Sequence, residues 1–436
     1  MKKKIVLLGA GSSFFRGAIG EIVVTEALAD SEIVLHDIDR KTLKIIEAVA
    51  CRMAAEAATG MKVSSTTQLS RALDGADYAL SSIGVHGPNN AYHKLDMDVS
   101  AKFGIIQTTG DTVGPGGISH GLRIIPIYMK IARSMEKYCP EAILLNHSNP
   151  MAQICRAINK YTKVTCLGLC HGVQGTIRDL AEILEVPYEH VEFTIAGPNH
   201  MSWLLEIKYR GKDMYPTLKR RLAEGEPEKG HIFATRLFSI LGIHPLNNDR
   251  HIIEFYPFLR QISTPEELPY ELEFRSDTLA RRPSEKEAQK RLKRLAEGKD
   301  PITLPMGLSA EAVGRLMAAM ATGEEYVHIV NIPNQGAVPN LPDWAVIELK
   351  AVLTSKGCRP IYVGPLPVVA ARWALATIYQ QELLVDAAVL GKRDLALQAM
   401  VSDPQIISLD EAEKVLDGLV KAHGKRLSRF SKRTGR

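Results

Sequence analysis

The sequence predicts an α/β protein, with a doubly wound parallel sheet in its first half and a mixed α+β second half. Three observations carry that expectation. Short β-rich runs alternate with longer helical patterns as far as about Gly197. The first of those runs ends in a Gly-x-Gly turn. Beyond Gly197 long helical patterns take over. At 436 residues the chain can hold two closely joined domains with a sizeable core. The division is expected at 1–197 and 198–436.

Taken in order, the strands are expected at Lys4–Leu8, Glu32–His36, Tyr78–Ile83, Ala142–Leu145 and Lys163–Gly168, each a short run rich in Ile, Val, Leu or Tyr. Helical spacing of apolar residues marks Thr42–Ala57, Ile118–Lys137 and Val173–Leu184 between them. In the second half Met201–Lys208 reads as a strand. A polar stretch follows near Ala223–Gly230, and Glu311–Ala321, Val368–Gln381 and Leu409–Ala422 read as helices.

Composition bounds the partners. Apolar residues make up 45% and charged residues 24%, with a formal net charge of only +5, which argues against nucleic acid. Two basic stretches depart from the scatter, Arg281–Arg294, expected as a solvated helix, and Lys425–Arg436, expected as a frayed end. The six cysteines (Cys51, Cys139, Cys155, Cys166, Cys170 and Cys358) form no CxxC pair, so no disulfide framework is expected. The apolar run after Lys2–Lys4 stops at Gly9, too short for a secretory leader. No stretch approaches the ~18 apolar residues of a membrane span. A cytoplasmic location is expected.

The turn after the first strand reads Gly9-Ala10-Gly11-Ser12-Ser13-Phe14. Gly9 permits the tight turn, and Gly11 lets the backbone approach a pyrophosphate at the next helix N-terminus, beside Ser12 and Ser13. Phe14 stands where a third glycine is usual. Asp37, at the end of the second strand, can accept both ribose hydroxyls and would repel a 2′-phosphate, which favours NAD over NADP. The pattern suits a Rossmann-like dinucleotide site; an ordinary turn with a helix-capping Asp is the plainer alternative.

Three polar stretches follow later strands: Asn146-His-Ser-Asn149-Pro150, Cys170-His171-Gly172-Val173 and Gly197-Pro-Asn199-His200. Loops at the carboxyl ends of such strands face the ligand crevice. A Cys170 thiolate with a His200 imidazole can hold a divalent ion and leave positions open for substrate oxygens. Spacing by itself fits two ordinary buried residues as well.

The ordered set Gly9-x-Gly11-Ser12, Asp37-Ile-Asp39, Gln107-Thr-Thr-Gly-Asp111-Thr-Val-Gly-Pro-Gly-Gly117, Asn149-Pro150, Cys170-His171-Gly172 and Gly197-x-Asn199-His200 resembles family 4 of the glycoside hydrolases. The likeness continues through Asn331-Ile-Pro-Asn334, Asn340-Leu-Pro and Arg359-Pro-Ile-Tyr-Val-Gly-Pro-Leu-Pro367, covering the chain to about residue 424. Lactate and malate dehydrogenases share the fold but not the Cys/His pair. The resemblance implies bound NAD and a divalent metal, commonly Mn2+, held by Cys170 and His200, with Asn149 touching substrate. It implies a glycosidase that oxidises C3, removes the C2 proton, eliminates the aglycone, adds water and returns the hydride.

For the general acid the resemblance points to His171, where phosphosugar members carry Asp, or to Asp111. For the C2 base the polar run Asn247–Pro257 offers Asp249 or Tyr256. Phosphosugar members resemble one another in an arginine soon after the fourth strand. Gly84–His93 has none, which argues against a phosphorylated sugar. Asn89, Asn90 and His93 suit hydroxyls or a single carboxylate. The Cys-His-Gly-Val run is most similar to the uronic-acid branch, which implies an α-glucuronide or α-galacturonide with Arg250 or His251 on its C6 carboxylate. A neutral α-glucoside or α-galactoside, or a 6-phosphoglycoside, stays open. So do a 2-hydroxy-acid dehydrogenase and a non-catalytic NAD or sugar sensor. A homodimer or homotetramer is expected, with Val368–Ile378 and Ile118–Ile131 as interface or core.

Overall fold

The computed structural model describes residues 2–225, 230–305, 309 and 311–431. Positions 226–229 of the polar stretch and 432–436 of the basic tail lie outside the described residues. The N-terminal strands are β1 (Lys4–Leu8), β2 (Glu32–His36), β3 (Lys62–Thr66), β4 (Tyr78–Ser81), β5 (Ile143–Asn146) and β6 (Cys166–Gly168). Next come β7 (Val191–Gly197), β8 (Ser202–Tyr209), β9 (Lys212–Asp213) and β10 (His244–Leu246). The last are β11 (Tyr326–Pro333), β12 (Val346–Thr354) and β13 (Gly357–Pro360).

All thirteen share one sheet, ordered β10-β8-β7-β12-β11-β6-β5-β4-β1-β2-β3, with β13 on β12 and β9 on β8. From β3 to β6 every pairing is parallel, in the order of a dinucleotide-binding sheet. From β6 onward every pairing is antiparallel. Ile5, Val6, Leu7 and Leu8 are wholly buried because helices cover both faces, and a run without alternation is what such a strand requires.

On one face the helix Gly114–Tyr138 packs against Met151–Tyr161 and Val368–Leu390. On the other lie Phe14–Val24, Arg40–Ala57 and Val313–Thr322. Each buried Leu or Ile in these layers contributes roughly 1.5–3 kcal/mol. Ile118, Ile124 and Ile125 are wholly buried inside the subunit and belong to its core, whereas Ile127 in the same stretch is 37% exposed.

Two further differences from the sequence expectations have physical causes. β3 reads Lys-Val-Ser-Ser-Thr, an edge strand whose residues are half-buried at best, and so lacks an apolar signature. β11 and β12 lie in the helix-rich half, yet they sit mid-sheet and pair antiparallel over eight residues. The division at 197/198 falls in the turn between β7 and β8, which are hydrogen-bonded to each other in the same sheet as β1–β6.

Candidate active site

The parallel strands deliver their following loops to one edge of the sheet. The antiparallel strands meet them there, since one register row runs Gly168, Asn331, Glu348, Gly197 across β6, β11, β12 and β7. Cys170 and His200 are therefore brought to the same level although thirty residues apart. Buried Glu348 organises that row. It accepts from Asn199 and Asn331 Nδ2 (both 3.2 Å) and from the Ser202 hydroxyl (2.6 Å). Burial raises its pKa.

A cleft of about 320 Å3 opens above this row. Asp111, Asn149, Cys170, His171, His200 and Arg250 line it, as do Asn90 and His93. Phe14 and Ser82 form its cofactor-side wall. The Asp111 loop is held by residues far along the chain. One Glu254 carboxylate accepts the backbone N–H groups of Thr108 (2.7 Å), Thr109 (2.8 Å) and Gly110 (3.0 Å). Burial raises the Glu254 pKa to about 7.

Asp111 Oδ1 accepts the Thr112 hydroxyl proton at 2.7 Å, and Oδ2 accepts from Asn149 Nδ2 at 3.3 Å. Burial disfavours its charge, but the adjacent His251 and His200 rings and the Thr112 hydroxyl outweigh that and hold it below the usual carboxylate range. Because the Thr112 proton goes to Asp111, Thr112 Oγ1 is left as acceptor for His200 Nδ1 at 3.2 Å. Assigned from this network, His200 carries its proton on Nδ1 and keeps the Nε2 lone pair for an electrophile. Burial lowers the His200 pKa to about 4, so the ring is neutral. His200 (φ 66) and Asn247 (φ 118) both hold left-handed backbone at the cleft.

The donor chemistry fits a divalent cation. Ligand atoms of Asp111, His200 and His251 lie within 4.8 Å of one another. The Cys170 thiol lines the same cleft, its pKa raised to about 12 by burial and by Glu348. A soft sulfur, neutral imidazoles and a carboxylate are ligands that Mn2+ or Zn2+ accepts. His251 is the member that sequence reasoning missed as a ligand; its ring centroid lies 4.3 Å from that of His200. Its Nδ1 has no partner among the described residues.

The dinucleotide residues fit their group too. Gly9 takes φ +84, and a Cβ there would meet Ser82 O at 2.6 Å. Gly11 N–H donates to Asp37 Oδ2 at 2.8 Å, which ties the turn to the end of β2. Ser12 and Ser82 hydroxyls meet at 2.8 Å. Ser13 precedes the helix Phe14–Val24 without capping it by side chain, and no acidic residue sits in the first turn, so N–H donors remain for an anion. Phe14 packs against His147, centroids 4.1 Å apart and planes tilted by 34°, which gives the ring at the third-glycine position a packing role.

Three candidates are placed elsewhere. Asp249 is wholly buried, its two oxygens accepting the Phe233 and Ala234 N–H groups (both 2.8 Å) at the start of the helix Ile232–Leu241. It caps that helix and does not reach the cleft. Tyr256 lies in an aromatic cluster, stacked on Phe258 and edge-on to Trp373 and Phe233; burial raises its pKa far above that of a base. Asn89 is exposed and exchanges two hydrogen bonds with Glu285, so Asn90 lines the cleft in its place. Beside them, His171 Nδ1 donates to the Glu311 carboxylate at 3.0 Å, and that hydrogen bond raises the His171 pKa.

Family models and relatives of known name match nearly the whole chain. Residues 4–186 match the Family 4 glycosyl hydrolase model and residues 195–406 its C-terminal domain. An α-galactosidase of Bacillus subtilis is 34% identical, covering 97% of this chain and 98% of its own length. An α-galacturonidase of the same organism is 30% identical, covering 96% and 97%. A solved candidate glucosidase, also from Bacillus subtilis, is 30% identical with TM-score 0.85, covering 95% of this chain and 99% of its own. A 6-phospho-α-glucosidase from gut microorganisms, solved with NAD and Mn2+, shares the fold at 22% identity and TM-score 0.83, covering 98% and 99%. A Plasmodium falciparum malate dehydrogenase shares it more distantly, at 14% identity and TM-score 0.52, covering 91% and 100%. The chain belongs to family 4 of the glycosyl hydrolases and is a glycosidase.

Proposed function

We propose that this glycosidase cleaves a non-phosphorylated α-glycoside of a galacto- or gluco-configured sugar by oxidation, elimination and water addition. The carrying observation is that Cys170, His200, Asp111 and Asn149 open into the same cleft as the wall formed by Phe14 and Ser82. When bound, NAD would exchange a hydride with C3, and a divalent cation held by His200 and His251, with the Cys170 thiol lining the same cleft, would polarise the sugar oxygens. The chain's residues supply the rest. Asn149 and Asn90 offer amides to hydroxyls. Asp111 is the ionised carboxylate beside the imidazole pair and is assigned the C2 proton. His171, hydrogen-bonded to Glu311 at the cleft mouth, is assigned proton donation to the leaving oxygen.

The relatives named α-galactosidase and α-galacturonidase support an α-linked, unphosphorylated sugar. So does the Gly84–His93 loop, which carries no arginine. Self-association is proposed through the helix Val368–Leu390, where Val368 and Tyr379 are exposed apolar side chains; sedimentation would read it.

The test is nitrophenyl glycoside cleavage with NAD+, Mn2+ and a reductant, run in D2O. Release that stops with EDTA or without NAD+, with deuterium at C2 of the product, is expected. Asp111→Asn should abolish both while leaving NAD binding intact. Cleavage that needs neither cofactor, or no C2 deuterium, would overturn the reading.

A further inference from the structure

Arg275 begins the short helix Arg275–Ala280 and is only 6% exposed, yet it lines the cleft. Its backbone N–H donates to Gln107 O at 3.0 Å, which fixes it to the loop that carries Asp111. Its guanidinium is not matched inside the protein. Nη1 makes one long contact, 3.4 Å, to Thr278 Oγ1, and Nε has no partner among the described residues. Burial lowers its pKa to about 10, so it is a cation at neutral pH.

The contrast with Arg123 shows that this fold pairs a buried arginine when the role is structural. Arg123 grips Asp96 with both terminal nitrogens (2.8 and 2.6 Å) and also meets His423 and Ser119. An unpaired buried charge costs several kcal/mol, so a fold keeps one where a ligand completes it. Arg250 and Arg282 line the same cleft, giving three guanidiniums against two carboxylates, Asp111 and Glu311, of which Glu311 is taken by His171. The missing partner is an anion. The charged and titratable groups that Arg275 feels most are Arg282, Asp111, Arg250 and Glu254, and it in turn bears on His93 and His251. None of these belongs to the Gly9–Ser13 turn.

We propose that Arg275 is the anchor for a carboxylate borne by the sugar, making this glycosidase selective for uronides over neutral glycosides. The inference rests on the glycosidase reading above and sharpens it, since neither the names of the α-galactosidase and α-galacturonidase relatives nor the Arg250 and His251 expectation points to this residue. A guanidinium that forks onto a carboxylate supplies two parallel hydrogen bonds and a charge, which a C6 hydroxyl cannot match.

The test compares the unaltered enzyme with Arg275→Gln and Arg275→Lys on nitrophenyl α-galacturonide, α-glucuronide, α-galactoside and 6-phospho-α-galactoside. Arg275→Gln is expected to lower kcat/KM on the preferred uronide by about 100-fold, mainly through KM, with Arg275→Lys intermediate and galactoside rates within about threefold. Thermal shifts with galacturonate, glucuronate, galactose and galactose 6-phosphate read the anchor without turnover, so they remain decisive even if no glycoside is cleaved. A uronate-induced rise in Tm, lost in Arg275→Gln, is expected. Equal losses on all glycosides, a preference for galactoside untouched by the substitution, or a dependence confined to the phosphorylated sugars would each overturn the proposal. The variant's own Tm should not fall, because the guanidinium leaves behind only Thr278, whose hydroxyl still donates to Arg275 O at 2.9 Å; a fall of more than about 5 °C would assign Arg275 a structural role instead.

Discussion

Thr112 shows how one hydroxyl settles the chemistry of two neighbours. It donates to Asp111 and accepts from His200, which orients the ring and sets its tautomer. Thr112→Val keeps the shape and removes both bonds, so Mn2+ affinity is expected to fall about 10- to 100-fold with little loss of fold; a metal titration by calorimetry reads it. Tyr256 gives the opposite expectation. Its hydroxyl is buried without a partner among the described residues, in a purely aromatic setting. Tyr256→Phe should leave kcat unchanged and stability equal or higher by up to about 1 kcal/mol. A hundredfold loss of kcat would restore the tyrosine as a base.

At the scale of elements, the cleft depends on joints between segments distant in sequence. Glu254, on the turn after the short helix Asp249–Ile252, collects three consecutive N–H groups of the Asp111 loop. Glu254→Gln turns an amide N–H toward at least one of those donors and should cost about 2–4 kcal/mol, with a larger fall in kcat than in cofactor affinity. Chemical denaturation and single-turnover rates separate the two effects. A second joint is the buried Asp96–Arg123–His423 set, which ties the helices Ala91–Ala101, Gly114–Tyr138 and Leu409–His423. Arg123→Met removes both guanidinium bonds from Asp96 and leaves it only His423, at 2.7 Å, as a charged partner, and about 3–5 kcal/mol of stability should go with it. These joints explain why the run Asn247–Pro257 was only partly legible. Its polar residues divide between capping a helix (Asp249), holding a loop (Glu254) and lining the cleft (Arg250, His251), and sequence marks all four alike.

For the molecule as a whole, buried carboxylates shape the response to pH. Asp403 accepts from Gly114 N–H at 2.8 Å and Gln405 N–H at 3.0 Å, and burial lifts its pKa from 3.8 to about 6. The folded state then holds a proton that the unfolded chain has released, so stability falls as pH rises from about 4 to about 6. The shift corresponds to about 3 kcal/mol. Asp403→Asn does not titrate, so the native protein should lose about that much relative to the variant across this window. A difference that stays constant with pH would refute the assignment. Asp403 also secures Gly114 at the start of the helix Gly114–Tyr138, so one buried acid links overall stability to the Asp111 loop. Among the described residues no helix is long and apolar enough to cross a membrane.

The parallel half of the sheet and its loops were legible in the sequence alone. Unbroken apolar runs such as Ile5–Leu8 specify strands buried on both faces, and Gly9, Gly11, Asp37, Asn149, Cys170 and His200 follow them at recognisable places. Their order along the chain was sufficient for the family likeness, because turn geometry and loop chemistry are local properties. Tertiary structure decided what depends on facing. It put β11 and β12 in mid-sheet, where pairing with β6 and β7 outweighs a helix-rich neighbourhood. It turned Asp249 inward onto N–H groups that had to be satisfied, and it buried Tyr256 among rings. It brought Arg275 to the cleft from a segment whose sequence carries no sign of one, and it set His251, expected at the sugar carboxylate, beside His200 and Asp111. Which side of a short turn meets the cleft is settled by packing against other segments, from Phe233 and Ala234 on Asp249 to the Thr108–Gly110 loop on Glu254, and no local pattern holds that information.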